Sequence, residues 1–232
     1  MLTSIKLLGW ALVAFGLLPG SARLQAEDLS SYRSFRIGAN LAAVAALAHL
    51  DPTKAQLLYE RPALIQQLTW WPDSFAVSSQ TEAVKFVVLS FYNGELFRIF
   101  VIYDRTRTQG LTADDFVNSI SAVYGTPARP LAIVRTGSSV PYGFSDEEKV
   151  IARWQDAQSS VNLIRSSYDQ LYGLVAVSRR VEPLAEKAMI EGARLDVVER
   201  PQRESDQKRR EAEAERVNAD KARVINLPAF RP

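Results

Sequence analysis

The sequence predicts an α+β protein: an antiparallel sheet with packed helices, followed by a charged helical or disordered C-terminal tail. Three observations carry this. Val84–Tyr92 and Glu95–Tyr103 are runs rich in β-branched and aromatic residues separated by Asn93-Gly94, the preferred pair for a two-residue hairpin turn whose central positions need positive φ. Segments with helical spacing and capping residues flank this hairpin, at Asn40–Leu50 and Thr112–Gly125. From Pro201 onward the chain is almost wholly Glu, Arg, Asp, Lys, Gln and Ala until its last few residues, a composition that cannot bury a face of its own.

Taken in order, the first 26 residues have the layout of a secretory signal peptide. Lys6 gives a weakly basic start, Leu7–Leu18 is apolar and uncharged, Pro19-Gly20 breaks the run, and small residues lead to cleavage after Ala22 or Ala26. The apolar run is well short of the about 20 residues that span a bilayer. The expected mature protein has no membrane span and is periplasmic or extracellular in a bacterium. No cysteine is available for acylation, disulfides, thiol catalysis or Cys-based metal sites. Net charge is +2 over 232 residues, falling to +1 or 0 after cleavage. So even a balance argues against nucleic acid as a partner.

A helix-plus-sheet unit is expected over residues 28–127. Asn40 caps a helix with Leu41, Val44 and Leu47 (with Ala48) on one stripe, and Asp51-Pro52 ends it. Short strands follow at Ala55–Glu60 and Ala63–Trp71. In the central hairpin the turn sets Phe91 opposite Leu96, Leu89 opposite Arg98 and Val87 opposite Phe100 on one face. Phe86, Val88, Ser90 and Tyr92 share the other face with Glu95, Phe97, Ile99 and Val101. Both faces are apolar, so both must be covered. Thr112 with Asp115 forms a capping-box variant ahead of a helix burying Phe116, Ile120 and Val123, closed by Gly125 and Pro127.

Residues 128–144 form a connector with a short strand at Leu131–Val134. Over residues 145–200, sharing the same core, two readings compete. Lys149–Asp156, Ser160–Ser166 and Leu171–Ser178 read as a three-stranded meander. Alternatively, Ser145-x-x-Glu148 caps one long helix on which Val150, Trp154, Ala157, Val161, Ile164 and Tyr168 fit a coiled-coil heptad. The polar clusters Gln155–Ser160 and Arg165–Gln170 suit turns, which favours strands. A helix over Val181–Glu199 then buries Leu184, Ala188, Leu195 and Val198. Residues 201–232 are the charged tail, with Glu204–Lys208 and Asp206–Arg210 as favourable i,i+4 pairs.

Phe35-x-Ile37-Gly38, a helix carrying Val44 and then several strands ending in a hairpin resemble the small exported bacterial helix-plus-sheet modules. These include the beta-lactamase inhibitory protein domain and the small outer-membrane assembly lipoproteins. The resemblance covers about residues 35–103. It departs from them at Ala42-Ala43, where an acidic residue is common, and in the missing lipoprotein cysteine. It implies a binding module rather than an enzyme. The second half resembles the Trp-x-Asp strand and trailing helix of uncharacterised exported bacterial proteins.

The sequence carries no recognisable catalytic pattern. His49 is the one histidine, near a helix C-terminus where it complements the dipole. Asp114-Asp115 and Asp146-Glu147-Glu148 sit where helix starts are capped, rather than facing each other across a cleft. No P-loop, Rossmann, Gly-x-Ser-x-Gly or His-Glu-x-x-His pattern occurs, so no catalytic, cofactor-binding or metal residue is assigned. The candidates for partner binding are Trp70 and Trp71, which a strand points to opposite faces, and Arg98, Arg105 and Arg107, with Arg61 as a neighbour. The expected function is an exported, non-catalytic binding or envelope-assembly module acting on a protein partner or on itself. The alternative is a small-ligand or carbohydrate-binding protein, or a hydrolase using carboxylates and Trp70 or Trp71. A structural envelope protein with the tail as spacer is a third reading.

Overall fold

The computed structural model describes residues 28–72, 82–129, 132–135, 144, 147–167, 170–229 and 231. The signal-peptide segment and Asp146 lie outside them. The core is one antiparallel sheet. In chain order the elements are β1 (Ser31–Tyr32), β2 (Phe35–Arg36), α1 (Leu41–Leu47), β3 (Gln56–Tyr59), β4 (Ile65–Trp70), β5 (Val84–Tyr92) and β6 (Glu95–Tyr103). They continue with α2 (Ala113–Tyr124), β7 (Ile133–Arg135), β8 (Glu147–Gln155), β9 (Ser159–Arg165), β10 (Tyr172–Ser178) and α3 (Glu182–Asn226). β1 and β2 form a small hairpin; the other eight strands form the sheet in the order β3-β4-β5-β6-β10-β9-β8-β7. β6 pairs with β10 at its centre, so both halves of the chain build one layer. The meander over β8–β10 is strand, and the single-helix alternative for this region is overturned.

The β5–β6 turn has Asn93 at φ 49° and Gly94 at φ 81°, as an Asn-Gly turn requires. Phe91 lies opposite Leu96 as the turn dictates. One residue later the ladder slips: Ser90 pairs with Arg98, Leu89 with Ile99 and Val88 with Phe100. A bulge at Phe97–Arg98 sets two residues against one. It corrects the expected register and moves Arg98 away from Leu89, onto the face that holds Ser90. The reason is chemical, since Arg98 finds a carboxylate there.

Each face of the sheet has its own cover. On one, α1, α2 and the β1–β2 hairpin bury Val87, Leu89, Phe91, Ile99, Leu163 and Trp154. Backbone bonds from Gly38 to Leu96 O (2.8 Å) and from Leu96 to Ala39 O (2.8 Å) seat α1 over the hairpin. α2 is fixed by Trp154 Nε1 donating to Gly125 O at 2.8 Å, and by Phe116 stacked on Tyr172 at 4.0 Å. Its Thr112–Asp115 capping box forms with both reciprocal bonds. On the opposite face, Phe86, Val88, Phe100, Ile102 and Val175 form one cluster. Beside it, Ile65 and Phe97 pack under Val181, which caps α3, and under Ala185 and Ala188 of that helix.

The buried stripes of the helices shift from the expected ones. In α1, Val44 and Ala45 are buried, with Ala48 just after it, while Leu47 is exposed, because close seating on the hairpin favours small residues. In α2, Val117 and Tyr124 join Phe116 and Ile120, and Val123 faces water. α3 packs through Ala185, Ala188 and Gly192, leaving Leu184 and Val198 exposed and Leu195 half-buried. A Cβ on Gly192 would stand 2.6 Å from the Tyr59 ring, which is how closely the helix approaches β3. α3 then runs on through Pro201 as one helix of 45 residues, about 67 Å at 1.5 Å per residue. The edge strands are the shortest in the sheet, four residues in β3 and three in β7.

Candidate functional site

Along the α3-covered face a polar row crosses the apolar sheet. Gln67 on β4 donates to Ser90 Oγ on β5 at 3.3 Å, and Arg98 follows on β6. Past Val177 the row continues into Ser160 and Gln155, with Asn162 and Arg153 alongside. Arg98 is only 2% exposed. Its Nε donates to both oxygens of Glu182, at 3.1 and 3.3 Å, a third bond runs from Nη2, and Glu186 lies 3.8 Å away. Glu182 opens α3, where a negative charge also complements the helix dipole. Burial pushes its carboxyl above the usual carboxylate range, against the opposing pull of Arg98.

Between this helix start and β7–β10 lies a groove of about 550 Å³. Its polar floor is a chain of bonds. Arg153 Nε donates to Asn162 Oδ1 at 2.6 Å, and the Asn162 amide donates to Ser160 Oγ (3.2 Å) and to Val175 O (3.3 Å). Glu186, Arg179 and Arg135 stand on the walls. The Ser160 hydroxyl oxygen accepts from the Asn162 amide, so it is tied into this polar floor.

The five residues expected to bind a partner do not converge. Trp70 and Trp71 do point to opposite sides of the sheet. Trp70 packs edge-on against Phe35 at 5.3 Å on the α1 side, beneath the Arg33 guanidinium. Trp71 leans on Phe86 at 4.7 Å on the other side and remains 51% exposed. Arg98 is buried in its ion pair with Glu182. Arg105 and Arg107 lie exposed in the loop after β6. Arg61 joins neither, being paired with Glu199 of α3.

The acidic clusters are also accounted for. Asp115 caps α2, with its pKa lowered by the Thr112 hydroxyl, and Asp114 pairs with Arg129 at 2.8 Å. Glu147 faces Arg135 at 3.6 Å, and buried Glu148 accepts from the Ser167 hydroxyl at 2.7 Å on a strand, not at a helix start. Among the described residues, no group of three or more His, Asp or Glu side chains is placed to hold a metal ion. No helix among them is long and apolar enough to cross a membrane.

Sequence reasoning passes over Arg153, Asn162 and Glu182. Asn162 leaves a trace, a lone amide inside Val161-Asn162-Leu163-Ile164, where an apolar residue belongs. Glu182 leaves none, since its partner is 84 residues away.

The second exposed feature is the far part of α3. From residue 201 to 228 every side chain is exposed except Asp206, which is half-buried. Val217, Val224, Ile225 and Leu227 stand uncovered at its end, between 40% and 75% exposed. Ion pairs one turn apart support the helix, Arg209 with Asp206 at 2.8 Å and Arg216 with Glu213 at 3.0 Å.

Comparison with known proteins finds no matching family model, no matching curated protein and no matching solved structure.

Proposed function

We propose that the chain is an exported, non-catalytic binding module that acts in the bacterial cell envelope through protein contacts. One observation carries the reading. α3 continues past residue 200 for about 39 Å, burying no apolar side chain there, and carries uncovered Val217, Val224 and Ile225, with Leu227 uncovered just after it. A solvated helix tipped with apolar side chains is a reaching element, and its large uncovered residues are the kind that a protein partner desolvates. The signal-like first 26 residues supply the export part, and the resemblance of residues 35–103 to exported binding modules points the same way.

The test pairs the full chain with a chain lacking residues 203–232, both used as bait in an envelope extract and sized by light scattering. The expected result is a discrete partner, or a defined self-complex, bound by the full chain and lost with the deletion. Both chains are expected to melt within about 2 °C of each other, because the described residues of the deleted segment are exposed apart from half-buried Asp206. A full chain that stays monomeric and captures nothing overturns the proposal. The groove beneath α3 favours a second reading, a small-ligand or carbohydrate receptor. That reading predicts binding unaffected by the deletion.

A further inference from the structure

α3 changes character at one point. At Gly192 it is seated so closely on the sheet that a Cβ there would meet the Tyr59 ring, and Glu199 ties it to Arg61 in the β3–β4 connection. Two residues later comes Pro201, inside the helix. A proline has no N–H to offer the Val197 carbonyl four residues back, and its ring crowds that carbonyl, so the ladder breaks where the packing stops. One side chain crosses the break. Arg203 reaches back seven residues, about two turns, and its Nη2 donates to the Asp196 carboxylate at 2.7 Å and to the Asp196 backbone oxygen at 3.3 Å. We infer that Pro201 is a hinge and that Arg203 with Asp196 is the clip holding it straight, so that the outer half of α3 is an arm whose direction is adjustable.

The clip is suited to release. Both of its side chains are about half exposed, and an ion pair standing half in water adds little net attraction and weakens with salt. Beyond it, the pairs Arg209–Asp206 and Arg216–Glu213 lie one turn apart and stiffen the arm without crossing the hinge. The result is a stiff rod on a weakly latched joint. The hinge rests on the reading of α3 as a reaching element and adds to it. A partner that binds one direction of the arm selects that direction against only a weak latch.

The chain has no cysteine, so a pair of them serves as unique attachment points for spin labels. Ala193→Cys and Ala219→Cys, both at exposed positions, flank the hinge and lie about 39 Å apart along a straight helix. Labels on the full chain report the distribution of distances between them. At low salt a narrow distribution is expected. Arg203→Ala broadens it toward shorter distances, and so does about 1 M salt, which screens charges beyond about 3 Å. Pro201→Ala restores the ladder, and it keeps the distribution narrow in high salt and in combination with Arg203→Ala. Arg209→Ala breaks an ion pair beyond the hinge and leaves the distribution unchanged. A distribution already broad at low salt, or one that stays narrow in Arg203→Ala, overturns the inference. Equal broadening in the Pro201→Ala background or in Arg209→Ala does the same, since the helix is then fraying rather than hinging. The labels read geometry and not capture, so a rigid arm that still binds an envelope partner refutes the hinge and leaves the binding reading standing.

Discussion

Arg98→Met tests how the sheet and α3 are joined. The substitution keeps an unbranched chain of similar length but removes the charge that faces Glu182, leaving that carboxylate with its side chain only 14% exposed and Glu186 beside it. Removing one partner of a buried pair costs about 3–5 kcal/mol at neutral pH. With a urea slope of about 2 kcal/mol/M, the unfolding midpoint falls by about 1.5–2.5 M. The loss depends on pH, and its sign follows from Glu182. Burial already raises its folded pKa, and removing Arg98 takes away the opposing pull and raises it further. A carboxyl with a raised folded pKa contributes stability that is present below its unfolded value of about 4.3 and lost as pH rises through the folded value. The variant's deficit is therefore greatest at pH 7 and shrinks toward pH 5. Adding Glu182→Gln is expected to recover most of the deficit at pH 7, because two neutral side chains leave no uncompensated charge. Urea denaturation of wild type, both single variants and the double variant at the two pH values measures all of this. A loss below about 1 kcal/mol, or an equal loss at pH 5 and pH 7, refutes the reasoning.

Two further outcomes follow from the core. Gly173→Ala puts a Cβ 2.7 Å from the Phe100 ring and 3.3 Å from Ile164, and overpacking of this kind costs about 1–3 kcal/mol, read as a lowered melting midpoint. An unchanged midpoint shows that Phe100 turns aside freely. Burial pushes the Tyr32 phenol up to about 12 and raises Tyr103 further. These groups contribute stability that is complete below their unfolded pKa of about 10 and is lost as pH rises through the folded values. Tyrosinate absorbance with parallel melting scans checks this, and two phenols ionising together with exposed tyrosines at about pH 10 contradict it.

The α+β class and the central hairpin are legible because they rest on local chemistry. Asn93-Gly94 fixes its turn, Thr112 and Asp115 cap their helix, and polar clusters punctuate the meander. The register beyond Phe91 is not legible. A turn dictates pairing only while the ladder stays regular, and the bulge at Phe97–Arg98 answers to Glu182, a residue on a different element. The helix stripes are not legible for a related reason. Close approach selects Ala45, Ala185 and Gly192, whereas hydropathy points to Leu47 and Leu184, which are left in water. The polar groove is half visible. Asn162 stands out as a lone amide in an apolar strand, but Arg98 and Glu182, 84 residues apart, meet only because α3 packs on the sheet.

The lengths of the outer strands bear on how crowded this protein can be. A sheet grows into aggregates by offering an unpaired row of backbone donors and acceptors to the next molecule. Here the nine-residue strands β5 and β6 are locked at the centre, and the rows facing outward belong to strands of four and three residues. An incoming chain gains only a few hydrogen bonds there. Concentration alone therefore gives little drive to sheet stacking, and selective association falls to side chains.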